Sequence, residues 1–376
     1  MENPRITSIE WGILIGQRPR SAGCNARLPV HGPTMRDPVA RITTEDGASG
    51  FGWSRVTQEQ AEALIGRHMN DLISVENGAN DTGRPIEFAL WDLLGQRTGK
   101  PVYALVAEHY GVSVPTELRA PCYDTTLYFD DLHLESHDEA AALIADEARQ
   151  GWERGHRAFK LKVGRGALHM PLEAGNERDI AIIRAVRQFT GPGIPIMIDA
   201  NNGWNANITK QVLSATADCD LLWLEEAYHE DPVLYKNLKE WMQTQGLSVM
   251  VADGEGLAAP PLLDWARDGL IDVVQYDLRD IGFTRWLTLG KQLDAWGRRS
   301  APHNYGSNIG NYASCHLALI SGFTFVEWDH ADTPGLDGSA YSLAEGKVSV
   351  PNLPGWGLRL DDAAFQQAVQ NGGYKI

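Results

Sequence analysis

Eight short apolar segments, separated by longer amphipathic ones, run from residue 119 to residue 330 and constrain the fold more than any other feature. They read RAPCYDT, AFKLKVG, IPIMIDA, LLWLEEA, SVMVADG, DVVQYDL, SAPHNYG and TFVEWDH. The segments between them, such as NERDIAIIRAVRQFTG, carry apolar residues at helical spacing. Eight strands alternating with helices predict an α/β barrel. An open, doubly wound sheet with a second domain is the alternative, but the sequence shows no glycine-rich nucleotide motif that would support it.

An ionisable residue stands at the end of nearly every one of these strands. In chain order they are Lys162, Asp199, Glu225, Glu255, Asp277, His303 and Glu327, and subtracting successive numbers gives gaps of 37, 26, 30, 22, 26 and 24 residues. Such gaps fit one strand followed by one helix. Because the carboxyl ends of barrel strands meet on one face, we expect these side chains to surround a single site. Any one of them alone could be a helix cap or a solvated loop residue.

Two lysines, Lys160 and Lys162, lie inside the second predicted strand. Burying an ammonium group costs on the order of several kcal/mol unless it is paired or deprotonated. Asp199, Glu225 and Glu255 come from three consecutive strands and can surround one hard cation, for which oxygen-only ligation favours Mg²⁺. With that ion present, we expect Lys160 to lower the pKa of Lys162 by like-charge repulsion, so that Lys162 becomes a usable base.

A second acid/base group is predicted on the opposite part of the ring. Asp277 and His303 stand on neighbouring strands, where the carboxylate can fix the imidazole tautomer and raise its basicity. His303 could instead be an ordinary loop histidine. The pair Glu225 and Glu226 is ambiguous, because both neighbouring positions are apolar and either side chain could face inward. We assign Glu226 no catalytic role.

The first 120 residues have a different pattern. Residues 5–15 and 38–56 are rich in β-forming residues, and an Asp-Gly turn between alternating stretches favours an antiparallel hairpin. From Thr57 onward the spacing is helical, and Gly99 followed by Pro101 predicts a helix end. The sequence therefore predicts an α+β unit before the barrel.

Composition excludes several classes of partner. The chain has 33 basic and 49 acidic side chains, a formal charge of -16, so nucleic acid and anionic membranes are not expected as partners. The sequence shows no leader pattern and no bilayer-spanning apolar run, which predicts a cytoplasmic protein. The four cysteines, Cys24, Cys122, Cys219 and Cys315, are far apart and lack CxxC spacing, so we expect reduced thiols.

The ordered set of motifs resembles the mandelate racemase branch of the enolase superfamily. The matching segments are KLK, DANNGW, WLEE, DGEG, QYDLRDIG, PHNYGSNIG and VEW in the barrel, with EFALWDLLGQRTGKPVYAL before it and GKVSVPNLPGWGLRLDD after it. The resemblance implies a modified barrel, (β/α)7β, at 121–335. It also implies an N-terminal α+β capping domain at 1–120, completed by a C-terminal segment at 336–376. An even-numbered homo-oligomer is common in this family and is expected here.

The same resemblance implies roles for individual residues. The shared first step of the family is removal of the proton α to a carboxylate, giving an enediolate held on Mg²⁺. By position, Asp199, Glu225 and Glu255 would be metal ligands, Asn201 a supporting or substrate group, Lys162 one base tuned by Lys160, and His303 with Asp277 the other. Glu327 would hydrogen-bond the substrate and would have to be protonated to do so.

One departure from the family pattern concerns the loop after the fourth strand. The family commonly has proline after the paired glutamates, whereas this chain continues with Ala227 and Tyr228. The loop could therefore bring Tyr228 or His229 toward the substrate. The dyad strand also lacks the double glycine of the family, a smaller difference.

Substrate choice in this family depends mostly on two loops of the cap, expected here at 16–34 and 47–54. The first carries a basic cluster, Arg18, Arg20, Arg27 and His31, which could also be simply solvated. With the polar HNYGSN segment, it favours a hydroxyl-rich aldonic or aldaric acid over an aromatic acid. The residues expected to bind substrate are Asn201, Arg18, Arg20, His31, Trp53 and Tyr305.

For such a sugar acid, dehydration is the expected reaction. Lys162 or His303 would remove the C2 proton, and His303 as imidazolium would protonate the departing C3 hydroxyl, giving a 2-keto-3-deoxy acid. A racemase or epimerase that uses the same two bases is the alternative. A non-catalytic barrel would show a broken catalytic position, and none is found. A metal-dependent hydrolase usually has histidine-rich ligation, which differs from the carboxylate set here.

Overall fold

The computed structural model describes residues 3–256, 258–319 and 322–376. The N-terminal part contains a β-hairpin sheet and three helices. Its elements are β1 (Ile6–Ala22), β2 (Gly32–Thr44), β3 (Ser49–Trp53), α1 (Gln58–Leu64), β4 (Ile73–Ser74), β5 (Gly78–Ala79), α2 (Glu87–Thr98) and α3 (Val102–His109). Thr57 begins α1 with a capping box closed by Gln60. Gly99 ends α2 in the left-handed conformation, as the sequence predicted.

The two predicted cap loops are shorter than expected. Strand β1 continues to Ala22 and pairs there with Gly32 of β2, so the connecting loop spans only 23–31 rather than 16–34. Most of 47–54 is the strand β3, which pairs with β2. The sequence did not reveal these extensions, because arginines and prolines in 16–34 have low strand propensity.

All eight predicted barrel segments contain a strand. These strands are β6 (Leu118–Leu127), β7 (Phe159–Lys162), β8 (Ile196–Asp199), β9 (Trp223–Glu225), β10 (Met250–Asp253), β11 (Val273–Val274), β12 (Arg299–Ser300) and β13 (Val326–Trp328). They pair in parallel in this order, and β13 pairs in parallel with β6. A parallel bridge from Ser300 to Phe323 connects β12 to the segment that enters β13. The predicted (β/α)7β barrel is confirmed.

Helices follow each of the first seven strands. They are α4 (His137–Glu153), α5 (Leu172–Thr190), α6 (Ala206–Ala215), α7 (Pro232–Gln245), α8 (Leu262–Arg267), α9 (Leu278–Ile281), α10 (Phe283–Ala295) and α11 (Asn308–Cys315). None of the helices described in the structure is long and apolar enough to cross a membrane.

The interior of the barrel has an apolar layer below a polar one. The apolar layer has one residue from each strand or its edge: Tyr123, Ala158, Met197, Trp223, Ala252, Val273, Ala301 and Phe325. Side chains alternate along a strand, so the residue two positions further on also points inward. In seven strands this second residue is polar: Thr125, Lys160, Asp199, Glu225, Gln275, His303 and Glu327. The predicted lysines and carboxylates therefore belong to the inner face of the barrel.

After β13 the chain returns to the N-terminal sheet. The C-terminal elements are β14 (Leu336–Asp337), β15 (Ser342–Ala344), β16 (Lys347–Val350), β17 (Arg359–Leu360), α12 (Asp362–Gln370) and β18 (Tyr374–Lys375). Strand β18 pairs with β1, where the rings of Tyr374 and Trp11 stack with centroids 5.8 Å apart. Strand β16 pairs with the start of β6. The domain boundaries at 120/121 and 335/336 stay a prediction.

Candidate active site

Strand register brings the two lysines next to the carboxylates. Lys162 of β7 pairs with Asp199 of β8, which pairs with Glu225 of β9. Lys160 Nζ lies 2.7 Å from Glu225 Oε1 and 3.0 Å from Glu327 Oε1. Lys162 Nζ donates to Asp199 Oδ2. Both ammonium groups are buried and paired, which offsets the free-energy penalty of burying them.

The pKa of Lys162 lies above its ordinary value, opposite to the predicted direction. Burial alone lowers this pKa, and Lys160 lowers it as predicted, but the Asp199 carboxylate outweighs both. The expected lowering requires the negative charge of Asp199 to be neutralised.

Three carboxylates form the group that could hold a metal ion. Asp199, Glu225 and Glu255 each offer one oxygen, and these atoms lie within 4.8 Å of one another. An oxygen-only set of this kind suits a hard cation such as Mg²⁺. Beside them, Asn201 Oδ1 is buried and has no hydrogen-bond partner among the described residues. The residues present therefore fit the predicted ion.

Asn201 and Glu226 surround the third ligand. Asn201 Nδ2 donates to Glu255 Oε1 at 3.2 Å and to Glu226 Oε2 at 3.0 Å, while Asn202 Nδ2 donates to Glu226 Oε1 at 2.7 Å. Both asparagines and Glu226 have positive φ, at 42°, 59° and 42° respectively. Backbone strain of this kind clusters at functional sites.

Glu226 was assigned no role from the sequence, and the structure places it in the site. Glu225 ends β9 and follows the inward parity of Trp223, whose Nε1 donates to Glu225 Oε2 at 3.1 Å. Glu226 then reaches the same site because its backbone leaves the extended conformation. Burial, with the neighbouring Glu255, raises the pKa of Glu226 to about 10. The signal in the sequence was a pair of asparagines after one strand and a pair of glutamates after the next.

The predicted dyad forms. His303 Nδ1 lies 2.8 Å from Asp277 Oδ2, and a parallel bridge joins the two backbones. His303 Nε2 lies 2.9 Å from Glu255 Oε2 and 3.7 Å from Glu327 Oε2. Burial lowers the pKa of His303, but Glu255 and Glu327 outweigh it and hold this pKa well above its ordinary value. The imidazole therefore connects the dyad to the metal-binding carboxylates.

Glu327 is held as a carboxylate, which corrects the expectation that it is protonated. Oε1 accepts from Thr125 Oγ1 at 2.6 Å and faces Lys160, while Oε2 accepts from the Asn304 amide at 2.9 Å. Burial raises the pKa of Glu327, but Lys160 and His303 outweigh it and lower this pKa to about 2. A glutamate surrounded by donors and cations has no reason to keep a proton.

The guanidinium groups of Arg18 and Arg20 are already occupied by partners in the barrel. Arg18 forks onto Asp329, with Nε 3.0 Å from Oδ1 and NH2 2.7 Å from Oδ2. Arg20 Nε lies 3.1 Å from Asp130 Oδ2 and its NH2 lies 3.2 Å from Glu147 Oε2. The predicted substrate contacts of these two arginines are therefore not supported, since their charges are compensated by acids far away in the sequence.

His31 and Tyr305 do meet, together with a residue that sequence reasoning missed. The His31 ring contacts Tyr128 and Tyr305 edge-on, with centroids 4.9 Å and 5.3 Å apart. Lys162 Nζ lies 5.4 Å from the centroid of Tyr128. The hydroxyl of Tyr305 is buried without a partner among the described residues. This aromatic group adjoins the lysine side of the site.

A cavity of about 420 Å³ opens onto the other side. Its lining includes Asn201 and Glu255, with Arg27 from the cap loop and His229 from the loop after β9. Tyr228 instead packs under α7, where its ring stacks on Tyr235 with centroids 5.5 Å apart. The unusual loop therefore presents His229, and not Tyr228, to this cavity.

Comparison with known proteins gives the family. A family model described as Enolase C-terminal domain-like matches residues 143–364. The D-gluconate/D-galactonate dehydratase of Picrophilus torridus is 25% identical over 366 residues, covering 89% of this chain and 88% of that protein. Racemases also occur among the relatives.

Solved structures give closer matches. A galacturonate dehydratase from Geobacillus sp., solved with D-galacturonate and 5-keto-4-deoxy-D-galacturonate, is 47% identical with a TM-score of 0.95. The alignment covers 100% of this chain and 99% of that one. A mandelate racemase/muconate lactonizing protein from Geobacillus sp. Y412MC10, solved with magnesium and tartrate, is also 47% identical, covers 100% and 98% of the two chains and has a TM-score of 0.97.

These relatives are acid sugar dehydratases, which are hydro-lyases, and solved neighbours contain Mg²⁺. The family match covers more than half of the chain, and the motifs occur in the order that the sequence indicated. The chain therefore belongs to the enolase superfamily and is mandelate racemase-like.

Proposed function

We propose that the protein is a Mg²⁺-dependent dehydratase of a sugar acid, with D-galacturonate as the first substrate to test. The observation that carries this proposal is the meeting of Lys162, the Asp277–His303 pair and three oxygen ligands in one site. The Geobacillus enzyme, 47% identical, supports the choice of substrate.

The chemistry is that expected from the sequence, numbered from the other end of the sugar. The sequence predicted an aldonic or aldaric acid, with loss of the C2 proton and the C3 hydroxyl. In a uronic acid the carboxylate is C6, so the acidic proton is on C5 and the leaving hydroxyl is on C4. The ketone then forms at C5 and C4 becomes the deoxy carbon.

Each step has a group of this chain to perform it. One base, Lys162 or His303, takes the proton from the carbon next to the carboxylate, and the electron pair forms the enediolate. His303, as imidazolium, gives a proton to the β-hydroxyl, the C–O bond breaks, and water leaves. The enol then tautomerises to the keto acid. Mg²⁺ bound to Asp199, Glu225 and Glu255 would stabilise the negative charge that develops on the substrate carboxylate.

The neighbouring residues suit this assignment. Asp277 Oδ2, 2.8 Å from His303 Nδ1, fixes the tautomer so that Nε2 can exchange its proton. Glu327 stays ionised and orients Lys160 and His303 around the substrate. Asn201 Oδ1, buried beside Glu255, has an acceptor position left for a substrate hydroxyl or an ordered water.

The direct test is to incubate the protein with Mg²⁺ and a set of acids: D-galacturonate, D-gluconate, galactarate and mandelate. Formation of a keto-deoxy acid is followed by proton NMR. We expect turnover of one sugar acid and loss of it in Lys162→Ala, in His303→Asn and after removal of the metal by a chelator. Equal turnover in both variants would exclude the proposed site.

The alternative is a racemase or epimerase, which the two separate bases and the racemases among the relatives favour. The same reaction run in D₂O separates the two. Deuterium at the α-carbon of recovered substrate without any keto acid would favour the alternative.

Cellular location and assembly are parts of the same proposal. We propose a cytoplasmic homo-oligomer that takes a small sugar acid, as part of carbohydrate catabolism, and binds neither nucleic acid nor membrane. Analytical ultracentrifugation of the purified chain checks the assembly.

A further inference from the structure

Arg279 lies directly behind the Asp277–His303 pair. Its Nε is 3.2 Å from Asp277 Oδ1 and its NH2 is 2.7 Å from Asp277 Oδ2. Oδ2 is also the atom that His303 Nδ1 approaches to 2.8 Å. One carboxylate oxygen is thus shared by the guanidinium and the imidazole, and each restricts the rotation of Asp277.

The backbone around Arg279 has little strength of its own. Helix α9 is a single turn, capped at its start by Asp277, whose Oδ1 accepts from the Arg279 amide at 2.7 Å. It ends at Gly282, whose φ is 88°. A single helical turn is marginal without side-chain contacts, so the fork from Arg279 to Asp277 and contacts from outside must hold it.

The outside contact comes from the cap. Trp53, at the end of β3, is buried, and the Arg279 guanidinium lies 6.0 Å from its ring centroid. The exposed Arg55 lies 4.9 Å from the same centroid and pairs with Asp280 at 3.2 Å. Cation–π attraction is stronger for the desolvated cation than for the exposed one. The cap therefore contacts the dyad through Arg279.

We infer that Arg279 is a positioning residue: it fixes the Asp277–His303 dyad and makes the alignment of His303 depend on contact between Trp53 of the cap and the barrel. Arg279 acts through Asp277, because its contacts are with that carboxylate rather than with the metal-binding group. Without the fork, Asp277 can rotate away from His303. The inference rests on the proposed acid/base role of His303.

The test uses dehydration of D-galacturonate with Mg²⁺ by the full chain. Arg279→Gln should lower kcat about 10- to 100-fold, the range for supporting residues of a reacting group, with KM within about twofold. Arg279→Lys should recover part of the loss, because one ammonium can still bond Asp277. Arg55→Gln is the matched control, since Arg55 contacts the other cation position on Trp53, and its kcat should stay within about twofold. Equal losses in Arg279→Gln and Arg55→Gln would overturn the inference.

A double variant separates positioning from general damage. In a His303→Asn background, adding Arg279→Gln should change the residual rate by less than about twofold, because the group it positions is gone. A further loss of about 10-fold or more would show that Arg279 supports the fold independently. If His303→Asn alone keeps the full rate, the proposed function fails instead.

A spectroscopic measurement covers the case in which the residual rate is too low to compare. The Nδ1 proton of His303, bonded to Asp277, should give a low-field proton resonance in the intact protein with Mg²⁺. Arg279→Gln should shift or broaden that resonance, whereas Arg55→Gln should leave it in place. An unchanged resonance in Arg279→Gln would overturn the inference.

Discussion

Two buried charge clusters stand side by side at β7. The lysine cluster consists of Lys160, Lys162, Asp199, Glu225 and Glu327. The arginine cluster consists of Arg165, Arg178, Asp131 and Asp179, and it begins three residues after Lys162. Every member of both clusters is buried. Burial and charge therefore do not distinguish an active site from a structural network.

Their hydrogen bonds do differ. Arg165 forks onto Asp131, with Nε and NH2 at 3.0 Å and 2.6 Å from Oδ1, and its NH1 lies 2.7 Å from Asp179 Oδ1. The remaining oxygen of Asp179 accepts from the Gly164 and Arg165 amides at 2.7 Å and 3.2 Å. This cluster satisfies itself with rigid, planar donors.

The lysine cluster is held less completely. Its ammonium groups are point charges on flexible stems, and Lys160 Nζ faces three carboxylates at once, at 2.7 Å, 3.0 Å and 3.6 Å. Beside it, Asn201 Oδ1 and the Tyr305 hydroxyl are buried without partners among the described residues. A buried cluster that leaves acceptors and donors open has room for a ligand, whereas one that closes on itself stabilises the fold.

The largest expected difference between the clusters is in activity. Lys162→Ala should lower kcat/KM for the sugar acid by about 10²- to 10⁴-fold, the usual contribution of a general base. The fold should survive, because Lys160 Nζ remains 3.6 Å from Asp199 and the Asn201 amide still donates to that carboxylate at 2.9 Å. Steady-state kinetics and thermal unfolding of the same sample check both parts. A variant that loses stability but keeps its rate would contradict the assignment.

The arginine cluster should show the opposite behaviour. Arg165→Met leaves Asp131 and Asp179 without their main cation, and breaking a buried pair in this way costs about 3–5 kcal/mol of unfolding free energy. Urea unfolding measures it. Arg149→Met is the matched control: Arg149 pairs with Asp146 on the surface, where loss of a pair costs about 1 kcal/mol or less. Similar losses in the two variants would remove the distinction between buried and exposed pairs.

The sequence predicted the barrel part of this comparison well, for a physical reason. Strand parity and the period of the βα unit place Lys162, Asp199 and Glu225 in one row whatever the rest of the chain does. The position of Glu226 could not be derived, because it depends on a positive φ that the sequence does not encode. Both flanking positions of the glutamate pair are apolar, so parity alone was ambiguous there.

The cap residues could be predicted less well. Whether an arginine is free depends on what it meets in the folded chain, and Arg18 meets Asp329, 311 positions away. Tyr128 was missed because it stands after β6, beyond the residues that match any motif. Local patterns determine strands and helices, whereas ion pairs across the cap and barrel depend on tertiary structure.

A buried acid outside both clusters sharpens the rule about satisfaction. Asp37 of β2 accepts from the Ser307 hydroxyl and from the Asn308 amide at 3.0 Å. Burial, only partly offset by these bonds, raises the pKa of Asp37 to about 6. The folded protein thus binds this proton more tightly than the unfolded chain, whose Asp pKa is about 3.9. The stability this proton provides is present below about pH 4 and is lost as the pH rises through about 6.

Asp37→Asn should remove this dependence. Two pKa units correspond to about 3 kcal/mol, so the free energy of unfolding of the intact protein should fall by up to that amount between about pH 4 and pH 7 relative to the variant. Urea unfolding of both proteins at several pH values gives the two curves. Parallel curves would mean that Asp37 titrates alike in the folded and unfolded chains.

The smallest expected effect concerns metal binding to the lysine cluster. Mg²⁺ that binds only the folded chain should raise its free energy of unfolding, by about 2.7 kcal/mol at a concentration one hundred times Kd. Asp199→Asn should lose most of this gain, because one of the three oxygen ligands is replaced by a weaker one.

Lys162 competes with the ion for the same carboxylate. Its Nζ donates to Asp199 Oδ2, one of the oxygens that Mg²⁺ needs. Lys162→Ala should therefore gain at least as much stability from Mg²⁺ as the unaltered protein does, although it is inactive. Arg165→Met should keep the ordinary gain from a lower starting stability, because its cluster holds none of the three ligands. Thermal unfolding with and without Mg²⁺ measures all four proteins, and a smaller gain in Lys162→Ala would place the ion away from Asp199.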